Sequence, residues 1–345
     1  MVEVAIVGDH FMRADFFAAA LEAIPGASFR IRTMNLPWPD VPFIHGAPGT
    51  ELAGLRELQG DPDEIVRFIG DAEIFVTHLA PVAASMLTRL PKLRLIGVSR
   101  GGPVNIDMKA ARAAGIAVVN APGRNASAVA EFTIGAILAE TRLITKGHVS
   151  LSRGEWRGDL YRADTTGDEL SAMTVGLIGY GHIGTRVVKL LKPFGCRILV
   201  DDPYVTLSDD DRRDGVEQVD LATLLRRSDV VSLHARVTPE TTGFLAAPQF
   251  ALMKKGSYFI NTARGPMVNY PDLYDALASG HLRGAMLETF WTEPPEPDAP
   301  ILRHPNVTLT PHIAGASLTT VRVAARMVAD EVGRYLRHEP FANPC

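Results

Sequence analysis

A two-domain α/β protein, each domain built on a parallel sheet, is the fold class the sequence predicts. Three observations predict it. Short Val-, Ile- and Leu-rich runs alternate with helical spacings from end to end, the mark of βα units on sheets buried on both faces. The chain has 345 residues, more than a single hydrophobic core usually organises. A glycine pattern, G-x-G-x-x-G at Gly179, Gly181 and Gly184, follows one apolar run and opens a helical one.

In the first third, segments 2–7, 74–77, 93–98 and 116–119 read as strands, and 16–24, 63–69 and 108–114 carry helical spacing. The span 125–146 then repeats Ala, Ile and Leu at three- and four-residue intervals without an internal Pro. Asn125 or Ser127 caps its start, and one helix of this length would reach about 30 Å. It reads either as a crossover between domains or as an ordinary core helix. Strands at 174–178, 197–200, 230–233, 258–260, 285–287 and 307–309 follow, with helices at 182–191, 221–227, 248–253 and 271–278 between them. Six strands with helical crossovers match a doubly wound, Rossmann-type domain. The Pro-rich segment 293–297 must be an extended loop, and 318–336 reads as a final amphipathic helix.

Composition removes several function classes. With 35 basic and 39 acidic residues the formal charge is −4, and no Lys/Arg block offers a nucleic acid a counterion-releasing face. Two cysteines, Cys196 and Cys345, cannot build a disulfide framework or a structural zinc site, so no metal is expected. Segment 1–8 lacks a basic n-region and a cleavage site, and no apolar run approaches the roughly 18 residues of a membrane span. The expectation is a cytoplasmic protein with neither nucleic acid nor membrane as partner.

The glycine pattern stands where a dinucleotide site requires it, between strand and helix. Gly179 makes the tight turn, Gly181 lets backbone approach a pyrophosphate, and Gly184 lets the helix lie close on the strand. The N–H groups of the turn and helix start, from Gly181 through His182 and Ile183 to Gly184, then face the phosphates. Asp202, eighteen residues beyond Gly184, is at the distance of an acid that binds ribose hydroxyls, and its charge repels a 2′-phosphate. NAD is therefore favoured over NADP. Asp201 competes for the role, because neighbours on a strand face opposite ways.

Substrate must lie beyond the carboxyl ends of the strands. Three polar residues follow strand ends there: Arg264 after 258–260, Glu293 after 285–287 and His312 after 307–309. A guanidinium fork binds a carboxylate or carbonyl oxygen. A histidine exchanges a hydroxyl proton as hydride leaves or reaches the same carbon. A glutamate against the imidazole orients it and stabilises the imidazolium.

These residues carry a family resemblance. The segments are Val104-Asn-Ile-Asp107, Val119-Asn-Ala-Pro122 with Ser127-Ala-Val-Ala-Glu131, the glycine motif with Asp202-Pro203, Ser232-Leu-His234 with Thr238-Pro-Glu-Thr241, Asn261-Thr-Ala-Arg-Gly265, Thr292-Glu-Pro294 and Pro311-His312. In order and spacing they resemble the D-isomer-specific 2-hydroxyacid dehydrogenases, the group of phosphoglycerate, glyoxylate/hydroxypyruvate and D-lactate enzymes. The resemblance implies a Rossmann-type NAD domain, 120–314, inserted into a smaller flavodoxin-like α/β substrate domain made of 1–119 and 315–345. It implies a homodimer formed through the long helix. It gives Arg264 to the 2-oxo acid, His312 to acid/base work and Glu293 to His312. It places His234, Thr238, Thr262, Ala263, Glu288 and Gly315 beside the cofactor, and Ser99, Arg100, Gly101 and Gly102 on the loop whose N–H groups meet the substrate carboxylate.

Departures from the family pattern bear on substrate. Similar sequences read Gly-Arg-Ala-Gly-Val-Gly-Val-Asp where this chain reads Gly97-Val-Ser-Arg-Gly-Gly-Pro-Val104, and Pro103 donates no N–H. Arg100 is then a candidate for recognising an extra anionic or polyhydroxylated group, with a solvated outward Arg as the plainer reading. Glu288 stands where the family has Asp near the nicotinamide amide. Arg236 replaces a Pro near the adenosine side and leaves NADP use open. His78, at a strand end, and Trp291, near Glu293, are candidates for lining the substrate site, each with a structural role as the alternative. A different class, an NAD-sensing corepressor-like module, is the rival reading, as are relatives that oxidise formate or phosphite.

Overall fold

Continuous apolar strands set the architecture. The structure, a computed structural model, describes residues 1–39 and 43–345. It divides into two units, Met1–Asn125 with Ala316–Cys345, and Ala126–Gly315.

In the first unit, β1 (Val2–Asp9), β2 (Phe29–Leu36), β3 (Ile74–Thr77), β4 (Leu95–Val98) and β5 (Ala117–Asn120) form a parallel sheet in the order β2-β1-β3-β4-β5, the flavodoxin-like winding. One face packs on Ile65, Ile69, Met86 and Leu90. The other is covered by Phe17 and Leu21 and by Val321, Ala324, Val328 and Val332 of the last helix, Leu318–Leu336. The sequence reading misses β2. Its FRIRTMNL alternates polar and apolar residues and is only partly buried, as suits an edge strand, whereas the search for continuous apolar runs finds interior strands. The unit continues to Asn125 rather than ending at 119, since β5 pairs through Asn120 with Val98. It resumes at Ala316.

In the second unit, β6 (Thr174–Ile178), β7 (Arg197–Asp201), β8 (Glu217–Gln218), β9 (Val230–Leu233), β10 (Ser257–Asn261), β11 (Leu282–Leu287) and β12 (Val307–Leu309) form a parallel sheet ordered β12-β11-β10-β9-β6-β7-β8. Counted from β6 this is 3-2-1-4-5-6 with a seventh strand, the doubly wound dinucleotide order. The extra member relative to the six expected strands is β8, two exposed residues at the edge.

The expected single helix 125–146 is two helices, Ala126–Thr141 and Ile144–Ser152. Leu143 between them is left-handed at φ +55°, a conformation unfavourable for a branched side chain. Thr141 Oγ1 donates back to the Ile137 carbonyl at 2.9 Å, the local competition by which Thr weakens a helix. No helix is long and apolar enough to cross a membrane among the described residues.

Candidate active site

The glycine turn lies between β6 and the helix Gly184–Leu191. Gly179 adopts φ +103°, and a Cβ there would fall 2.7 Å from the His234 carbonyl carbon. A Cβ on Gly184 would lie 2.2 Å from the Gly179 carbonyl oxygen. Both positions exclude a side chain. Gly181 is the opposite case, with nothing within 4 Å of where its Cβ would be, so its backbone stands open to a ligand. His182 is exposed and Ile183 forms the N-cap.

Asp202 follows β7, and its carboxylate is tied into the turn. Oδ2 accepts the Tyr180 N–H at 2.8 Å, and Oδ1 accepts those of Tyr204 and Val205 at 2.9 and 3.1 Å. A carboxylate offers about four lone-pair sites, so acceptor capacity is left for a hydroxyl. Asp201 lies at the strand end, and burial, then the neighbouring Asp202 and Asp220 charges, hold its carboxyl above the ordinary range. Across the turn, His234 is buried; its Nε2 lies 2.9 Å from Ser232 Oγ, while Nδ1 is buried without a partner among the described residues. Burial alone depresses its pKa to about 3, so it is a neutral wall. An open glycine backbone, an acid at the end of the second strand and an orphaned ring nitrogen fit a dinucleotide.

Beyond β10, the loop with Arg264 is braced by Asn261, whose Oδ1 accepts the Ala263 N–H at 3.0 Å and whose Nδ2 donates to the Arg264 carbonyl at 3.3 Å. Thr262 is buried, its hydroxyl 2.8 Å from that of Thr133. Arg264 is exposed and spends one donor on the Ala263 carbonyl. Thr238 sits in an exposed turn closed by Thr241, whose hydroxyl accepts the Thr238 N–H at 2.7 Å.

Glu293 and His312 meet, with Nδ1 2.7 Å from Oε2. Burial works to raise the Glu293 carboxyl, but the His312 hydrogen bond and charge, the Phe290 N–H and the Arg264 charge outweigh it and hold the group below its ordinary value. The His312 and Glu293 side chains both reach solvent, at 43% and 33% exposure respectively.

His312 itself is left-handed, φ +54°. Its N–H donates to the Glu288 carbonyl at 3.0 Å, and the fully buried Glu288 side chain accepts the Ala314 N–H at 2.8 Å. Burial first, then the Glu293 charge, raises the Glu288 carboxyl against those contacts. Glu288 thus clamps the loop that carries His312 and, three residues further, Gly315. The family resemblance implied only a cofactor contact for it, and nothing local to residue 288 signals the clamp.

In the first unit, Ser99 and His78 are buried at strand ends, and Gly101 and Gly102 lie open on the loop after β4. Arg100 is engaged rather than outward: it donates to the Glu57 carbonyl at 3.2 Å and pairs with the Glu57 carboxylate. Trp291 packs against Tyr270 with the rings tilted 59° and their centroids 4.6 Å apart, beside the core of the second unit. No group of three or more metal-ligating side chains gathers among the described residues.

The family model for the D-isomer specific 2-hydroxyacid dehydrogenase NAD binding domain matches residues 134–314. YoaD of Bacillus subtilis, which carries a 2-hydroxyacid dehydrogenase name, is 40% identical over 260 residues, 74% of each chain. The D-3-phosphoglycerate dehydrogenase of Methanocaldococcus jannaschii is 38% identical over 283 residues. That match covers 81% of this chain but 53% of the relative, so the chain spans about half that enzyme's length. The solved D-2-hydroxyisocaproate dehydrogenase has the same fold, with a TM-score of 0.83 at 24% identity over 100% of this chain and 99% of that one. The domain that this family model describes binds NAD.

Proposed function

The chain belongs to the D-isomer specific 2-hydroxyacid dehydrogenase family, and from that premise we propose that it moves a hydride between NAD and a small D-2-hydroxy acid or its 2-oxo form. The observation that carries the reading is the 2.7 Å contact of His312 with Glu293 beside Arg264. NAD, when bound, supplies or accepts the hydride. Arg264 grips the carboxylate and polarises the carbonyl with the guanidinium donors its one backbone contact leaves over. His312 turns Nδ1 to Glu293, which leaves Nε2 to give its proton to the carbonyl oxygen in reduction and to recover it in oxidation. Glu293, held ionised, fixes the ring and balances the imidazolium. Asp202 disfavours a 2′-phosphate and so favours NAD over NADP.

A second copy of the chain completes this reading. Ile144 and Leu151 are 58% exposed, and Trp156 and Tyr161 are 85% and 94% exposed. An apolar face of this kind marks a protein contact, and a homodimer would cover it.

The test is loss of NADH absorbance with glyoxylate, hydroxypyruvate, pyruvate and 3-phosphohydroxypyruvate. Turnover of at least one is expected. No turnover of any 2-oxo acid, with NADH still bound tightly, would overturn the enzyme reading and favour an NAD-sensing protein.

A further inference from the structure

The edge strand β8 has two residues, and both are exposed. It buries little, so packing gives scant reason for it. Its second residue, Gln218, stands in register with Val200 of β7, two residues before Asp202.

Gln218 spends its whole amide on the loop that Asp202 begins. Nε2 donates to the Asp202 and Val205 carbonyls at 3.0 and 2.9 Å, and Oε1 accepts the Leu207 N–H at 3.3 Å. Two carbonyls on one side and an N–H on the other fit only this orientation of the amide. The loop 202–207 lies between β7 and the short helix Asp209–Arg213 and belongs to neither. Residues 203–206 are exposed, while Leu207 is buried.

The same loop holds the acid. Asp202 Oδ1 accepts the Tyr204 and Val205 N–H groups, and Oδ2 accepts the Tyr180 N–H inside the glycine turn. Tyr180 is buried, and its phenol donates to Asp211, whose carboxylate also pairs with Lys192 at 2.6 Å. The Asp202 carboxylate thus stands between two braced segments. Tyr180 braces the glycine turn, and Gln218 braces the loop.

We propose that Gln218 is a positioning residue for the cofactor: by fixing the loop 202–207 it holds the Asp202 carboxylate at the ribose, and so sets the preference for NADH over NADPH. This rests on the part of the reading above that puts Asp202 at the ribose. A fixed carboxylate serves two ends. It meets ribose hydroxyls without a loop-ordering cost on binding, and it cannot withdraw from a 2′-phosphate, whose charge it repels. A loop released from Gln218 gives up both. NADH then binds more weakly because the acid must be ordered, whereas NADPH meets less repulsion because the acid can swing aside. The two cofactors respond unequally, which separates positioning from general loosening of the domain.

The experiment titrates NADH and NADPH by fluorescence into wild type, Gln218→Met, Asp202→Asn and the double variant. Met keeps the length of Gln and removes its N–H donors. Wild type should bind NADH more tightly than NADPH. Gln218→Met should cut the ratio of the NADPH Kd to the NADH Kd about 3- to 10-fold, the worth of one ordinary hydrogen bond. Its Tm should fall by no more than about 2 °C, since the position is exposed. Because Gln218 acts through Asp202, the double variant should match Asp202→Asn alone. A wild type that binds both cofactors alike overturns the proposal. So does a Gln218→Met ratio equal to that of wild type, whether both affinities fall or neither does, and so do effects that add in the double variant. An unchanged ratio in Asp202→Asn removes the ribose seat itself, and the role of Gln218 with it. Binding is read without turnover: failure to reduce any 2-oxo acid, with these ratios as expected, sinks the dehydrogenase reading and leaves the brace in place.

Discussion

Each unit carries one histidine joined through Nδ1 to a carboxylate, at nearly the same distance: His78 to Asp9 at 2.6 Å and His312 to Glu293 at 2.7 Å. Their settings differ. The first pair is 5% and 0% exposed, the second 43% and 33%. For His78, burial depresses the pKa and outweighs the Asp9 hydrogen bond and charge. A neutral ring fixed in a dry interior is a strut. His312 reaches water, and its carboxylate is held ionised, so the same two groups form a proton-exchange device. The contact distance does not set the role; the surrounding dielectric does.

The largest expected effect breaks the exposed pair. His312→Gln should lower kcat for 2-oxo acid reduction about 10²- to 10⁴-fold, the range of a lost general acid, with NADH affinity by fluorescence titration unchanged. Breaking the buried pair should register in stability instead. Asp9→Asn removes the counter-charge of Arg124 and leaves the Phe11 and Met12 N–H groups weaker partners, for about 3 kcal/mol, read as a Tm lower by several degrees. Glu140 sharpens the contrast, as a buried carboxyl with no imidazole beside it. Burial raises it to about 7, so its ionisation opposes folding. The stability present below the unfolded value near 4.5 is lost as pH rises through about 7. Glu140→Gln should therefore gain on the order of 2 kcal/mol at pH 8 and nothing at pH 4.5, measured by urea unfolding. The smallest effect is Glu293→Gln, about tenfold in kcat, with the pH profile of reduction displaced to lower pH. A profile that stays in place would break the proposed pairing.

Much of this was legible in the sequence because strand order converts chain position into place. Once 258–260, 285–287 and 307–309 read as parallel strands, the residues after them must share an edge, and Glu293 and His312 do meet. The glycine turn was legible because its conformational demands are local. The unread features are those where a side chain chooses a partner far along the chain. Arg100 takes Glu57 across 43 residues, and Asp9 takes His78 across 69. Glu288 reaches Ala314 across 26. No periodicity records such choices. The break at Leu143 was unread for another reason: residues 125–146 hold no Pro and only one Gly, so propensity favours continuing the helix.

The return of the chain to its first unit has a consequence for biosynthesis. The helix Leu318–Leu336 places Val321, Ala324, Val328 and Val332 in the core behind β1, β3 and β4. During synthesis, the first five strands emerge long before the helix that covers one of their faces. At 5–20 residues per second the intervening segment takes about 10–40 s to appear, while that apolar face waits uncovered. The inserted unit, contiguous from Ala126 to Gly315, meets no such delay. The half of the protein made first is therefore the half that finishes folding last, and a nascent chain stalled near residue 300 should hold a protease-resistant second unit behind a protease-sensitive first one.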